Sequence, residues 1–199
     1  MSKNLALFDF DGTITHADCF TRFVFFAATP WRLLLGAPCL ILAFLLYKAG
    51  VLPASKTRPL VAWVLFWRRE AVEVMELGAR FANEVLPAVI RDEAKERLDW
   101  HRQQGDRIVV VSASLNPYLS VWCHQQSVEL LCSELAVNGQ RLTGRYVDGD
   151  CSLVNKVRRI QQHLDLEDFS TVYAYGDTHE DFPMLALADQ GWYQWQRHN

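Results

Sequence analysis

The chain has no excess of basic residues: 20 Lys and Arg against 23 Asp and Glu give a net charge of -3, which argues against non-specific nucleic-acid binding. Its five cysteines, Cys19, Cys39, Cys123, Cys132 and Cys151, are odd in number and show neither CxxC nor Cys/His ligand spacing. A disulfide framework and a thiolate metal site are therefore not expected, and a reducing, cytoplasmic setting fits. No secretory leader is read at the N-terminus, because only a short apolar run separates Lys3 from Asp9. Internal repeats and low-complexity linkers are absent. Leu33 to Tyr47 is an uncharged, strongly apolar run of 15 residues. As a helix it would extend about 22 Å, short of the ~30 Å hydrocarbon core of a bilayer, and Gly36 and Pro38 are expected to bend it.

What is present is half hydrophobic, enough for a sizeable core in 199 residues. Leu5 to Phe8 form an apolar run followed by Asp9-Phe10-Asp11-Gly12-Thr13. This pattern predicts a buried strand that ends in a turn carrying two acids, at the edge where parallel α/β sheets bind ligands. If the backbone stays extended, Asp9 and Asp11 point the same way. Two like charges so placed call for compensation, commonly a hard divalent cation with oxygen ligands. Alone, the pair also fits a solvated acidic turn.

The remaining pattern supplies partners for the pair. A helix is predicted over Cys19 to Ala28, closed by Pro30, then the apolar run, then a Trp- and Phe-rich segment, Leu60 to Trp67. Glu70 to Glu84 and Pro87 to Gln104 read as amphipathic helices. Ile108 to Val111 is a second strand, ending in Ser112-Ala113-Ser114, and Asn138-Gly139 marks a hairpin turn. A helix over Ser152 to Leu164 carries Lys156. Thr171 to Tyr175 is a third strand, ending in Gly176-Asp177 with Asp181 four residues on, followed by a helix over Phe182 to Ala188 and a strand over Trp192 to Trp195. Apolar strands ending in acids or hydroxyls and separated by helices predict an α/β fold. The expected architecture is a Rossmann-like parallel sheet flanked by helices, with an inserted all-helical cap.

Asp9-x-Asp11-Gly12-Thr13, Ser112, Lys156 and Gly176-Asp177-x-x-x-Asp181, in that order, resemble the four motifs of the haloacid dehalogenase superfamily of phosphohydrolases. The resemblance implies a phosphomonoester hydrolase with Mg²⁺ as cofactor. Asp9 would be the nucleophile that forms an aspartyl-phosphate, and Asp11 the general acid and base. Ser112, Ala113 and Lys156 would hold the substrate phosphate. Asp9, Asp177 and the backbone carbonyl of Asp11 would bind the metal, and Asp181 would support the metal site or Lys156 without binding the ion. His179 receives no role. The helical stretch between the first two motifs resembles the group of phosphoserine phosphatase, with residues 1–16 and 105–199 as core and 17–104 as cap.

The opening through Asp18 and Phe20, together with the apolar segment, is similar to the branch that includes phosphatidylglycerophosphatase C. That likeness implies a lipid or amphipathic phosphate such as phosphatidylglycerophosphate, handled at the inner face of the cytoplasmic membrane. The apolar run is then either a buried cap helix pair or an interfacial hairpin. In the second case residues 31–69 would meet an anionic membrane, with Trp31, Tyr47, Trp63 and Trp67 at headgroup depth and Arg32, Lys48, Lys56, Arg58, Arg68 and Arg69 near lipid phosphates. A small soluble phosphate such as phosphoserine is the alternative substrate. Asp18 falls where phosphoserine phosphatases carry an acid, whereas Glu180 replaces an Asn of their motif. A non-catalytic phosphate-binding protein is the remaining reading.

Overall fold

A computed structural model describes residues 4–198; Lys3 and the chain termini lie outside them. Among the described residues there are eight strands and eight α-helices, five of the helices lying in succession between the first two strands. The main sheet has the order β3-β2-β1-β6-β7-β8. Its strands are β1 (Leu5–Phe8), β2 (Arg107–Leu115), β3 (Glu129–Ser133), β6 (Val172–Gly176), β7 (Gln190–Tyr193) and β8 (Gln196–Arg197). β1 is central and pairs in parallel with β2 and β6; only β8 runs antiparallel. Its side chains alternate between two cores, as strand geometry dictates. Leu5 and Leu7 pack with Ile160, Met184 and Leu185, whereas Ala6 and Phe8 pack with Leu98, Leu119 and Tyr175.

Those cores are covered by α7 (Val154–His163) and α8 (Phe182–Leu185) on one face, and by α5 (Asp92–Gln104) and α6 (Asn116–Gln126) on the other. Before them come α1 (Cys19–Ala27), α2 (Pro30–Lys48), α3 (Ala54–Phe66) and α4 (Ala71–Glu84). The last helix of the 17–104 stretch, α5, is seated directly on the sheet. His101 pairs through Nδ1 with Asp106 at 2.7 Å and through Nε2 with the Tyr175 hydroxyl at 2.9 Å. A hairpin of β4 (Leu135–Asn138) and β5 (Arg141–Tyr146) clasps the chain after α3, with Arg68 N donating to Leu142 O and Leu142 N to Arg69 O, each at 2.8 Å.

Several boundaries differ from the sequence expectation. β2 runs on through Ser112, Ala113 and Ser114, with its pairing to β3 shifting register after Ser112. Trp195 is not in the last strand: Gln194 and Trp195 both adopt positive φ and turn the chain from β7 into β8. Pro30 does not merely close α1 but opens α2 as a first-turn proline, where a missing N–H costs nothing. α2 continues through Gly36 and Pro38 for 19 residues, about 28 Å. Gly36 is a packing residue, since a Cβ there would lie 2.3 Å from Val64 Cγ1 on α3.

The apolar run is not a buried helix pair. In α2 only Ala43 is buried, while Leu34, Leu35, Leu42 and Leu45 are 77%, 73%, 58% and 57% exposed. Two cations assigned to that surface turn inward instead. Arg58 reaches the core, and buried Arg69 donates to Ala27 O and Glu73.

Candidate active site

β1 and β6 end side by side, with Asp9 N donating to Tyr175 O at 2.9 Å, so Asp9 and Asp177 emerge at the same sheet edge. The intervening turn, Phe10–Ile14, needs Gly12 at φ 82°. A Cβ at Gly12 would also meet Asp177 Oδ2 at 2.0 Å, so only glycine admits this approach. Asp9, Asp177 and Asp181 place carboxylate oxygens within 4.8 Å of one another.

Lys156, buried on α7, joins this group by donating to Asp9 Oδ1 at 2.5 Å and Asp181 Oδ1 at 2.7 Å. The loop before it is shaped by Leu153, whose φ of 50° is uncommon for a non-glycine residue. The other oxygen of Asp181 accepts from the backbone N–H groups of Asp177 and Thr178, both at 3.1 Å. Asp181 is thereby fully engaged as a brace, and Asp9 and Asp177 are left as the outward-facing acids.

Charge and burial work against each other here. Burial, together with Asp181 and Asp177, holds the Asp9 carboxyl well above the usual carboxylate range despite Lys156. Burial and Asp181 push Asp177 up to about 6. Burial opposes the ionised form of Asp181 as well, but Lys156 and the two backbone N–H groups hold it below the ordinary value. Fully ionised, three carboxylates against one ammonium would leave an uncompensated negative charge among oxygen donors, which is why the metal-free fold holds protons here. That set suits a hard divalent cation such as Mg²⁺.

Asp11 stands outside this cluster. Its Oδ1 accepts from Cys19 N at 2.8 Å and its Oδ2 from the Ser114 hydroxyl. Burial raises it to about 6, despite those hydrogen bonds. A carboxyl poised there both holds and releases a proton near neutral pH. Ser112 and Ala113 line the same space, and Ser112 Oγ accepts from Ser114 N at 3.1 Å.

The site opens into one cavity of about 1060 Å³. Its floor holds Asp9, Asp11, Ser112, Lys156 and Asp177, and its walls come from α1, α2 and α3. Asp18 lines it but is committed to capping α1, accepting from Thr21 N at 2.9 Å and Thr21 Oγ1 at 2.5 Å. His179 is exposed.

Two contributors escaped the sequence reading. Ser114 sits two residues beyond Ser112 on the same strand, a spacing that could have flagged it. Arg58 left no local signal. Its Nη2 lies 2.8 Å from both Asp150 Oδ2 and Glu180 Oε2, tying α3 to the loops that flank Lys156 and Asp177.

Comparison with known proteins bears on the family and the fold. The model of the family described as haloacid dehalogenase-like hydrolase matches residues 6–186. Protein CicA of Caulobacter vibrioides is 32% identical over 96% of this chain and 85% of its own length. A Bordetella pertussis protein with unknown function shares the fold at TM-score 0.82, with 23% identity over 96% of this chain and 89% of that one. A probable phosphoserine phosphatase from Vibrio cholerae shares it at TM-score 0.71, with 16% identity over 96% of this chain and 55% of that one.

Proposed function

The chain belongs to the haloacid dehalogenase-like hydrolases, and within that family we propose that it is a Mg²⁺-dependent phosphomonoester hydrolase acting on a lipid or amphipathic phosphate such as phosphatidylglycerophosphate. The observation that carries this reading is the single cavity in which Asp9, Lys156 and Asp177 form a charged floor beneath apolar walls. Residues 1–16 and 105–199 are assigned to the catalytic core and 17–104 to the insertion, whose α1, α2 and α3 roof the cavity as a cap while its α5 packs on the core sheet.

In the proposed reaction a carboxylate oxygen of Asp9 attacks phosphorus as the bond to the leaving oxygen breaks, giving an aspartyl-phosphate. Asp11 delivers its proton to that leaving oxygen. It then takes a proton from the water that attacks the phosphorus, and the acyl-phosphate P–O bond breaks to return the Asp9 carboxylate and release phosphate. Ser112 and the backbone at Ala113 orient the phosphoryl oxygens, and Lys156 balances their charge. Mg²⁺, held by Asp9, Asp177 and the backbone carbonyl of Asp11, would supply further charge compensation for the phosphoryl group. Asp181 keeps Lys156 and the Asp177 backbone in place.

Metal binding has a signature independent of turnover. Asp9, Asp11 and Asp177 are raised in the folded, metal-free chain, so it binds protons that the unfolded chain has released by neutral pH. The contribution of Asp11 and Asp177 to stability therefore falls as pH rises from about 4 through about 6, and that of Asp9 falls in the same direction. His101, lowered by burial, works in the opposite sense below its ordinary value, but it is one group against three. Without metal, the melting temperature is expected to be higher at pH 5 than at pH 7.5. Saturating Mg²⁺ should reverse that order, because it takes deprotonated ligands. Identical melting profiles with and without Mg²⁺ at pH 7.5 would remove the metal from this account.

The exposed face of α2, flanked by Trp31, Arg32, Lys48 and Arg68, is suited to lie in an anionic bilayer interface. The five cysteines are all free, in keeping with a cytoplasmic position at the inner face of the membrane. Phosphate release should be measured on phosphatidylglycerophosphate and lysophosphatidate in anionic vesicles and on phosphoserine in solution. Preference for the vesicle substrates is expected, together with flotation of the chain on those vesicles and its loss in the Leu34→Glu, Leu42→Glu double variant. Preferential hydrolysis of phosphoserine, with no flotation, would establish the soluble-metabolite reading instead.

A further inference from the structure

Resting on the amphiphile reading above, we propose that the apolar arm of the cavity is a hydrocarbon subsite, which draws the tail of the phosphate substrate out of the bilayer and into the protein. Leu33, Ala37, Leu40 and Phe44 follow one another at spacings of four, three and four residues, the signature of one helix face. All of them line the cavity that also touches Asp9 and Lys156. Leu34, Leu35, Leu42 and Leu45 are exposed and do not line it, while Phe44 is exposed and lines it. α2 is thus apolar on two faces with different destinations, one outward and one onto the reaction chamber.

The other helices add apolar lining as well: Phe20 and Val24 come from α1, and Val61 and Leu65 from α3. At about 1060 Å³ the chamber stands at the upper end of small-molecule pockets, beyond what a phosphate with a short polar stem fills. A small charged substrate would leave this apolar arm in contact with water. An aliphatic chain would cover it.

The mouth supports the same occupant. Phe25, Ile41 and Phe44 line the cavity and are also 61%, 58% and 55% exposed, so the apolar arm opens on the side that carries the exposed face of α2. A tail entering there passes from lipid into protein along apolar side chains, while the phosphate reaches the charged floor. The competing picture leaves the tail in the bilayer and admits only the headgroup. It gives no reason for an apolar lining continuous with the catalytic acids.

The two pictures separate on chain length for monomers in solution. Butyl-, octyl- and dodecylphosphonate, which cannot be hydrolysed at the P–C bond, should be titrated calorimetrically into the full chain with Mg²⁺, below their micelle concentrations and without detergent. The subsite predicts affinity rising by up to about fourfold per buried methylene until the arm is full. Ala37→Phe and Leu40→Ser should each lower the dodecyl-to-butyl affinity ratio by at least about tenfold, and the ratio is unaffected by any loss of folded protein. The outer pair Leu34→Glu, Leu42→Glu should keep a steep series.

Equal affinity for butyl- and dodecylphosphonate overturns the subsite, as does a ratio untouched by both inner variants. A series flattened only by the outer pair places the tail on the protein surface and overturns it too. The corresponding alkyl phosphates test the other reading separately: a steep phosphonate series with no phosphate release upholds the subsite and removes the hydrolase.

Discussion

Asp9→Asn is expected to lower phosphate release from an aryl phosphate by about 10³- to 10⁶-fold, the range seen when a nucleophile is removed from a catalytic unit. An amide oxygen neither attacks phosphorus effectively nor forms the acyl-phosphate. The same substitution should leave the metal-free fold as stable as before, or more so. Asp9 is buried beside Asp181 and Asp177, and together these outweigh the favourable contact with Lys156. Removing its charge relieves that repulsion, while Lys156 keeps its 2.7 Å partner in Asp181. Lost activity with an unchanged or raised melting temperature separates a reacting group from a structural one. Activity within about tenfold of the parent chain would remove Asp9 from the nucleophile role.

The sheet and the edge that carries the candidate site were legible because the signals are local. Leu5 to Phe8 and Ile108 to Val111 are short apolar runs, and each polar group of interest stands within a few residues of a strand end. The shared direction expected for Asp9 and Asp11 failed for an equally local reason. The strand stops at Phe8, the chain coils through Gly12, and Asp11 joins Cys19 and Ser114 instead of the acids around Lys156. Arg58 was illegible because its partners lie 92 and 122 residues away in sequence, and no spacing rule reaches that far.

The orientation of α2 was hidden by its composition. A helix apolar on every face reads the same whether core, lipid or a ligand covers it. Charge bounds the run at Leu33 and Tyr47, whereas capping sets the ends of the helix further out. Pro30 in the first turn and Lys48 in the last fit a helix start and a helix end. Those two residues extend the run to nearly the thickness of a bilayer core. The shared cavity with Asp9 and the packing against α3 tie α2 to the charged site, which argues against a helix that crosses a bilayer.

Lys156→Met should have the opposite stability signature to Asp9→Asn, because it removes the cation that bonds both Asp9 and Asp181. Lys156 stays charged despite burial, since Asp181 and Asp9 raise it well above the ordinary lysine value. Without it two buried carboxylates face each other, a loss of about 3–5 kcal/mol in comparable buried pairs. The pH dependence follows from the signs. In the parent chain Asp181 is depressed, so its contribution is present above the unfolded value and is lost only as pH falls through the lower folded one. In the variant both Asp9 and Asp181 would be raised, the folded state would bind protons that the unfolded state releases, and stability would fall as pH rises. The variant should therefore melt well below the parent at pH 7.5 and recover much of the difference at pH 5. Phosphate release at saturating Mg²⁺ should drop by about 10²- to 10³-fold, as for loss of one charge-stabilising donor. Thermal melts at the two pH values, with and without Mg²⁺, decide the matter: a variant that melts with the parent at pH 7.5 would show that Lys156 does not neutralise these acids.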